Sequence, residues 1–337
     1  MATMCNPIEK RFPAIVSVGS YFPPDVLSNH DFEKFLDTSD EWIVQRTGIK
    51  ERRILTGKPT SYMAEQAAKE ALQNSKLSPE DIDVVICATV TGDYRHPATA
   101  TIIASNLGIK NAFCFDLTSA CSSFLYAFIT ASSYISSGFS NYILVIGADK
   151  MSSILNYEDR STCVLFGDGA GAIILGPSTE YGLVDFVACC DGSYYHHLFQ
   201  PSGGSFKPLT PKNILFNEHF VYQNGREVFK HAVTKMSESI KIILHRNKLS
   251  VEDIKYIIPH QANKRIIDAI ISDLKIEPEK VVVNIHKYGN TTSATLPTCL
   301  YEIKDTLQEG DNVIMVVFGG GFSWGAALLK WGFKPAF

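Results

Sequence analysis

Residues 77–86 read LSPEDIDVVI and residues 249–258 read LSVEDIKYII, with six of ten positions identical. The copies lie about 170 residues apart, half of the 337-residue chain. Fainter echoes share that offset: 141–148 (NYILVIGA) with 312–319 (NVIMVVFG), and 105–110 (SNLGIK) with 272–277 (SDLKIE). Solenoid units are far shorter, roughly 20–50 residues. The spacing instead predicts two homologous halves, residues 11–180 and 181–337, packed together with a site where they meet. Residues 176–182 (GPSTEYG) mark the seam.

Within each half, short apolar β-branched runs alternate with helical patterns. Residues 83–90, 112–117, 142–148, 256–259, 281–285 and 313–318 read as strands covered on both faces. Residues 61–73 and 228–244 carry helical periodicity, and 38–41 (TSDE) reads as a capping box opening a further helix. Such alternation predicts α/β layers. Residues 193–211, rich in Gly, Ser, Pro and aromatics, read as a long functional loop.

Several function classes are set aside. The chain is 45% hydrophobic, enough for a large core, and its net charge of −4 gives no general field for nucleic acid, though a local basic patch stays open. No run approaches the roughly 18 apolar residues of a membrane helix. Residues 1–13 are polar, so no signal peptide is expected, and none of the eight cysteines forms a C-x-x-C pair. A cytoplasmic protein with reduced thiols is expected. No spacing suggests a metal site, and His196–His197 reads as an incidental loop pair. Residues 167–172 (GDGAGA) match a dinucleotide fingerprint formally, but a strand-like run follows where a helix is required.

Three segments carry candidate chemistry. In 118–127 (TSACSSFLYA), Cys121 follows one strand and precedes a helical run. A helix N-terminus there favours a thiolate. In 259–266 (PHQANKRI), His260 ends a strand and can face a cleft as a donor or proton carrier, while Asn263 caps the next helix. In 287–297 (KYGNTTSATLP), Gly289 permits a tight turn and Asn290 can present an amide donor. Residues 318–325 (FGGGFSWG) allow close backbone approach, and their N–H groups can contribute to an oxyanion hole. Taken singly, each of these residues reads as structural. In the register of the repeat, however, His260 corresponds to Ala88, and Cys121 and Asn290 occupy similar places in the two halves.

The segments TSACSSF, PHQAN, YGNTTSA and FGGGFSWG, in that order, together with DTSDEWIVQRTGI (37–49) and FGDGAGA (166–172), resemble the β-ketoacyl-ACP synthase III family. The resemblance covers nearly the whole chain. It implies a duplicated thiolase-like fold layered αβαβα. It also implies the initiating condensation of bacterial type II fatty acid synthesis. Cys121, His260 and Asn290 would be the catalytic triad. Cys121 would accept an acyl group from an acyl-CoA, and His260 and Asn290 would hold the thioester oxygen of malonyl-ACP as CO₂ departs. The backbone N–H groups of Cys121 and Gly320 would hold the oxyanion. Trp42 and Arg160 would flank the CoA adenine, Arg46 would meet its phosphates with Thr38 nearby, and Asn263 would bond the pantetheine arm. Gln261, Ala262, Asn263, Lys264 and Arg265 would meet the acyl carrier protein. CoA thioester and malonyl-ACP are substrates, so no cofactor is implied. The family is homodimeric.

Three positions depart from the family pattern. His96 stands where the family usually has a Phe that projects across the dimer interface into the partner's acyl pocket, so the primer preference stays open. Arg226 replaces a usual Asn and Ser123 a usual Gly. Related acyltransferases or condensing enzymes of secondary metabolism share the triad. A non-catalytic carrier-binding subunit would lack the cysteine, and a cysteine hydrolase would need water at the acyl-enzyme.

Overall fold

The computed structural model describes residues 11–336. Strands Phe12–Tyr21, Asp168–Ser178, Ile143–Lys150, Val84–Ala88 and Phe113–Leu117 lie in that spatial order in one mixed sheet. Tyr256–Pro259, Asn312–Gly319, Ser323–Lys330 and Gly182–Cys190 form a second sheet in that order. The repeat copies are equivalent strands. Val84–Ala88 runs parallel to Ile143–Lys150, and Tyr256–Pro259 runs parallel to Asn312–Gly319.

The inner strands of each sheet are covered on both faces, which is why they read as unbroken apolar runs, while the edge strands Gly182–Cys190 and Phe113–Leu117 stay partly exposed. Val84, Ile86 and Ala88 face a central layer, while Val85 and Cys87 face an outer one. Val313, Met315 and Val317 face the same central layer from the other side, and Ile314, Val316 and Phe318 point away. Helices Ser123–Ser136 and Thr295–Ile303 fill that centre. The first buries Phe124, Leu125, Phe128, Ala131 and Ile135 against that centre and leaves Ser133 and Ser136 exposed on its opposite side. Thr60–Ser75 and Thr99–Leu107 cover one outer face, and Gly225–Asn247 and Lys264–Leu274 the other. The result is the layered α/β duplication expected. Truncating one of the central side chains, such as Ile86→Ala, costs about 2–5 kcal/mol.

Two local expectations fail. The helix Asp40–Thr47 is capped by Ser39, whose Oγ accepts the Trp42 N–H at 3.1 Å, and not by Thr38. Thr38 is held in the preceding turn, its N–H bonded to Leu36 O at 2.9 Å. Residues 281–285 form no strand. Val281 makes a single bridge to Ile257, and the chain turns helical at Ile285–Tyr288. The buried amide of Gln261 takes the place of ladder pairing. Its Nε2 donates to Val282 O at 3.0 Å, and its Oε1 accepts from Asn284 N and Ile285 N at 3.1 and 3.2 Å.

Candidate active site

The chain leaves strand Phe113–Leu117, makes a tight turn at Ala120–Ser122 and enters helix Ser123–Ser136. The turn places Ala120 at φ 47°, a left-handed conformation costing about 1–2 kcal/mol for a residue with Cβ. Ser123 anchors it: its hydroxyl donates to Ala120 O at 2.7 Å and accepts Ser119 N–H at 2.6 Å. This departure from the usual Gly therefore has a structural role. Cys121 sits at the turn, buried. The hairpin between Asn312–Gly319 and Ser323–Lys330 closes on it so tightly that a Cβ on Gly319 would lie 2.9 Å from Cys121 N. A thiolate was expected at this helix start. Instead burial pushes the Cys121 thiol up to about 12, and the Asp149 carboxylate adds to the rise. Desolvation outweighs the backbone N–H groups, so Cys121 rests as a thiol.

His260 follows strand Tyr256–Pro259 and is buried, with Nδ1 2.7 Å from Thr295 Oγ1 and Nε2 without a partner. Burial lowers its pKa to about 3, so the ring is neutral. Asn290 is buried too. Its backbone is pinned to the first half, N–H to Leu165 O at 2.8 Å and O to Gly167 N–H at 3.1 Å. Its Oδ1 accepts Thr292 N–H at 2.9 Å, which leaves the amide NH₂ as the group it can offer a ligand. Gly289 makes the turn at φ 67°, where a Cβ would come within 2.8 Å of Leu165 O.

Cys121, His260 and Asn290 line one cavity of about 520 Å³ between the halves. Trp42, Arg46, Arg160, Ala262, Asn263 and Arg265 line it as well. The indole of Trp42 carries the Arg46 guanidinium 5.0 Å from its centroid and that of Arg160 at 4.9 Å. A base between Trp42 and Arg160 needs about 7 Å, two carbon contact distances, so Arg160 must swing aside for the expected stacking. Asn263 caps Lys264–Leu274, its Oδ1 accepting Arg265 N–H at 2.9 Å and its Nδ2 donating to Arg46 O at 3.1 Å.

Other expected residues lie elsewhere. Gln261 is fully buried and its amide is used inside the protein, so it offers no surface to a carrier protein. Lys264 is exposed and paired with Asp268 at 2.7 Å. Thr38 and Gly320 do not line the cavity, and a Cβ on Gly320 would meet Leu198 O at 2.8 Å. His96 stands on an exposed loop outside its own chain's cavity. Arg226 lines the cavity, as do Leu198, Phe199 and Gln200 from the long loop.

Sequence reasoning missed Asp149. It is fully buried and joins the halves through its carboxylate. Oδ1 accepts from Val90 N at 2.8 Å and Thr91 Oγ1 at 2.9 Å, and Oδ2 from Ser293 N at 3.0 Å. Thr295 was missed as well. Neither sits in a spacing that marks chemistry.

A thiol from one half meets an imidazole and an amide from the other, on a duplicated α/β frame. That frame and site define a condensing acyltransferase of the thiolase fold. The comparisons narrow the class. Residues 115–192 match the family described as 3-oxoacyl-[acyl-carrier-protein (ACP)] synthase III, and 244–331 its C-terminal part. The chain is 49% identical over 331 residues to β-ketoacyl-[acyl-carrier-protein] synthase III 1 of Bacteroides thetaiotaomicron, covering 97% of this chain and 99% of that one. The 3-oxoacyl-[acyl-carrier-protein] synthase III structure of Aquifex aeolicus superposes with a TM-score of 0.89 at 43% identity, covering 95% of this chain and 100% of that one. The priming β-ketosynthase of the R1128 polyketide pathway gives 0.89 at 31%, covering 98% and 100%. The chain belongs to the β-ketoacyl-ACP synthase III family, the initiating condensing enzymes of fatty acid synthesis.

Proposed function

We propose that this chain loads an acyl group from acyl-CoA onto Cys121 and condenses it with malonyl-ACP. The carrying observation is the convergence of a buried thiol, a neutral imidazole with a free Nε2 and a free amide on one cavity. The Cys121 sulfur adds to the thioester carbonyl, and the N–H groups of Cys121 and Gly320 hold the oxyanion. The C–S bond to CoA breaks, and the thiol proton leaves on the CoA sulfur. Malonyl-ACP then enters. Its C–CO₂ bond breaks, and the electron pair forms an enolate whose oxygen His260 Nε2 and Asn290 Nδ2 stabilise. The carbanion attacks the acyl carbonyl, the C–C bond forms, and Cys121 leaves as thiolate and is reprotonated. The products are 3-oxoacyl-ACP, CO₂ and CoA. All these steps use side-chain and backbone groups alone, so the reading needs no cofactor.

The four arginines at positions 46, 160, 226 and 265 supply positive charge along the cavity for CoA and carrier phosphates. Ala262, Lys264 and Arg265 are the proposed contacts for an acidic carrier protein. A homodimer is supported by the edge strand Phe113–Leu117, which carries Phe113 50% exposed, near Phe139 at 65%. His96 of each subunit would then shape the partner's acyl pocket. No described helix is long and apolar enough to cross a membrane, and a cytoplasmic location is proposed with the soluble substrates. Priming of a secondary-metabolite pathway is the second reading, favoured by the likeness to the polyketide priming synthase. Incubation with acetyl-CoA and malonyl-ACP tests the reaction: mass spectrometry of the carrier should find 3-oxobutyryl-ACP. A carrier that is bound but unchanged would turn the reading toward a non-catalytic subunit.

A further inference from the structure

We infer that Thr295 is a positioning residue that fixes the ring and tautomer of His260 for decarboxylation, an inference that rests on the reaction proposed above. The ring's hydrogen bond is Nδ1 to Thr295 Oγ1 at 2.7 Å, while Nε2 is buried and unpartnered. Thr295 Oγ1 also lies 3.1 Å from Thr292 O. The hydroxyl has one proton and therefore two choices. Given to Thr292 O, it forces the neutral ring to carry its proton on Nδ1. Nε2 then meets the substrate as a bare lone pair and repels a carbonyl oxygen. Given to Nδ1, it leaves the ring proton on Nε2, where a donor to the enolate oxygen is needed.

The 2.7 Å contact is a hydrogen bond in either arrangement; the second is the one the reaction uses, because only it presents an N–H at Nε2. Thr295 is 1% exposed and opens the central helix Thr295–Ile303, so its side chain is held in place by packing. Its β-branch restricts χ1 further. The ring cannot recruit a replacement from solvent, because His260 is itself buried. The hydroxyl acts through His260 and touches no substrate.

The test uses the full protein labelled with ¹⁵N-histidine. At pH 7 His260 should show the Nε2–H tautomer. Thr295→Val keeps the shape and removes the hydroxyl. It should cut malonyl-ACP decarboxylation about 10- to 100-fold, by analogy with the loss when the hydrogen-bond partner that orients a metal-ligating histidine is removed. Acylation of Cys121 should stay within about threefold, and Thr295→Ser should restore decarboxylation to about that margin. An Nδ1–H tautomer in the unmutated protein would overturn the inference, as would a Thr295→Val protein that decarboxylates at the normal rate. If the unmutated protein decarboxylates nothing, the proposed reaction falls, and the ring spectrum alone then decides where the proton sits.

Discussion

Ser293 Oγ lies 2.5 Å from Asp149 Oδ2, a hydrogen bond between residues of opposite halves that are both buried. Ser293 follows Asn290 closely in the same loop, so this contact fixes where the amide and the imidazole partner Thr295 stand. Burial pushes the Asp149 carboxyl up, and its hydroxyl and backbone N–H donors pull against that rise. Asp149→Ala would strand several of those donors. Each stranded buried donor costs about 1–3 kcal/mol, so urea unfolding should find the variant at least about 3 kcal/mol less stable. A midpoint unchanged from the parent would mean that the contact does not tie the halves together.

Gly319 offers a second test. A methyl group there would press on Cys121 N at 2.9 Å and Ser122 N at 3.0 Å. Gly319→Ala should displace the nucleophile turn and slow acyl-enzyme formation by about 10²–10³, the loss typical of one oxyanion donor. Circular dichroism should stay near that of the parent, because the collision is confined to the hairpin end. Normal acylation in this variant would place the oxyanion elsewhere.

The triad should divide its labour. His260→Ala and Asn290→Ala are expected to impair malonyl-ACP decarboxylation by about 10²–10³ each, while acylation of Cys121 remains measurable. Radiolabelled malonyl-ACP and intact-mass analysis separate the two steps. Equal loss of acylation in both variants would contradict the assignment.

The acid–base behaviour of the free protein follows from burial. With Cys121 raised to about 12, thiolate is scarce at neutral pH and its share grows tenfold with each pH unit. Iodoacetamide labelling of Cys121 should therefore climb through pH 9 without a plateau, whereas a plateau near pH 7 would mean an activated thiolate. His260 has the opposite sign: its folded value is lowered to about 3 from 6.5. The unfolded chain takes up that proton first. Its contribution to stability is present above pH 6.5 and is lost as pH falls toward 3.

The duplication was legible because burial on both faces imposes the same apolar strand at 84–88 and 256–259. Cys121 and His260 were legible because each sits in a distinctive segment beside a strand end, and Asn290 because it sits in the distinctive segment 287–297 just after a glycine turn. The missing strand at 281–285 was not, since its apolar pattern is real but Gln261, a single side chain, supplies the hydrogen bonds. The thiol state of Cys121 was misjudged because a helix start is visible in sequence while the depth of burial above it is not. Asp149 acts through contacts across the interface between the halves, and Thr295 through a contact to His260, 35 residues away in its own half; no local spacing announces either.

The central claim is that Cys121 carries the acyl group. Intact-mass measurement of the protein after exposure to acyl-CoAs of graded length and branching tests it most directly, with Cys121→Ala as the control. The account predicts a single acyl adduct that the Cys121→Ala protein never gains, with the favoured chain length reporting the shape of the acyl pocket. No adduct from any acyl-CoA, or one that persists in Cys121→Ala, would contradict it.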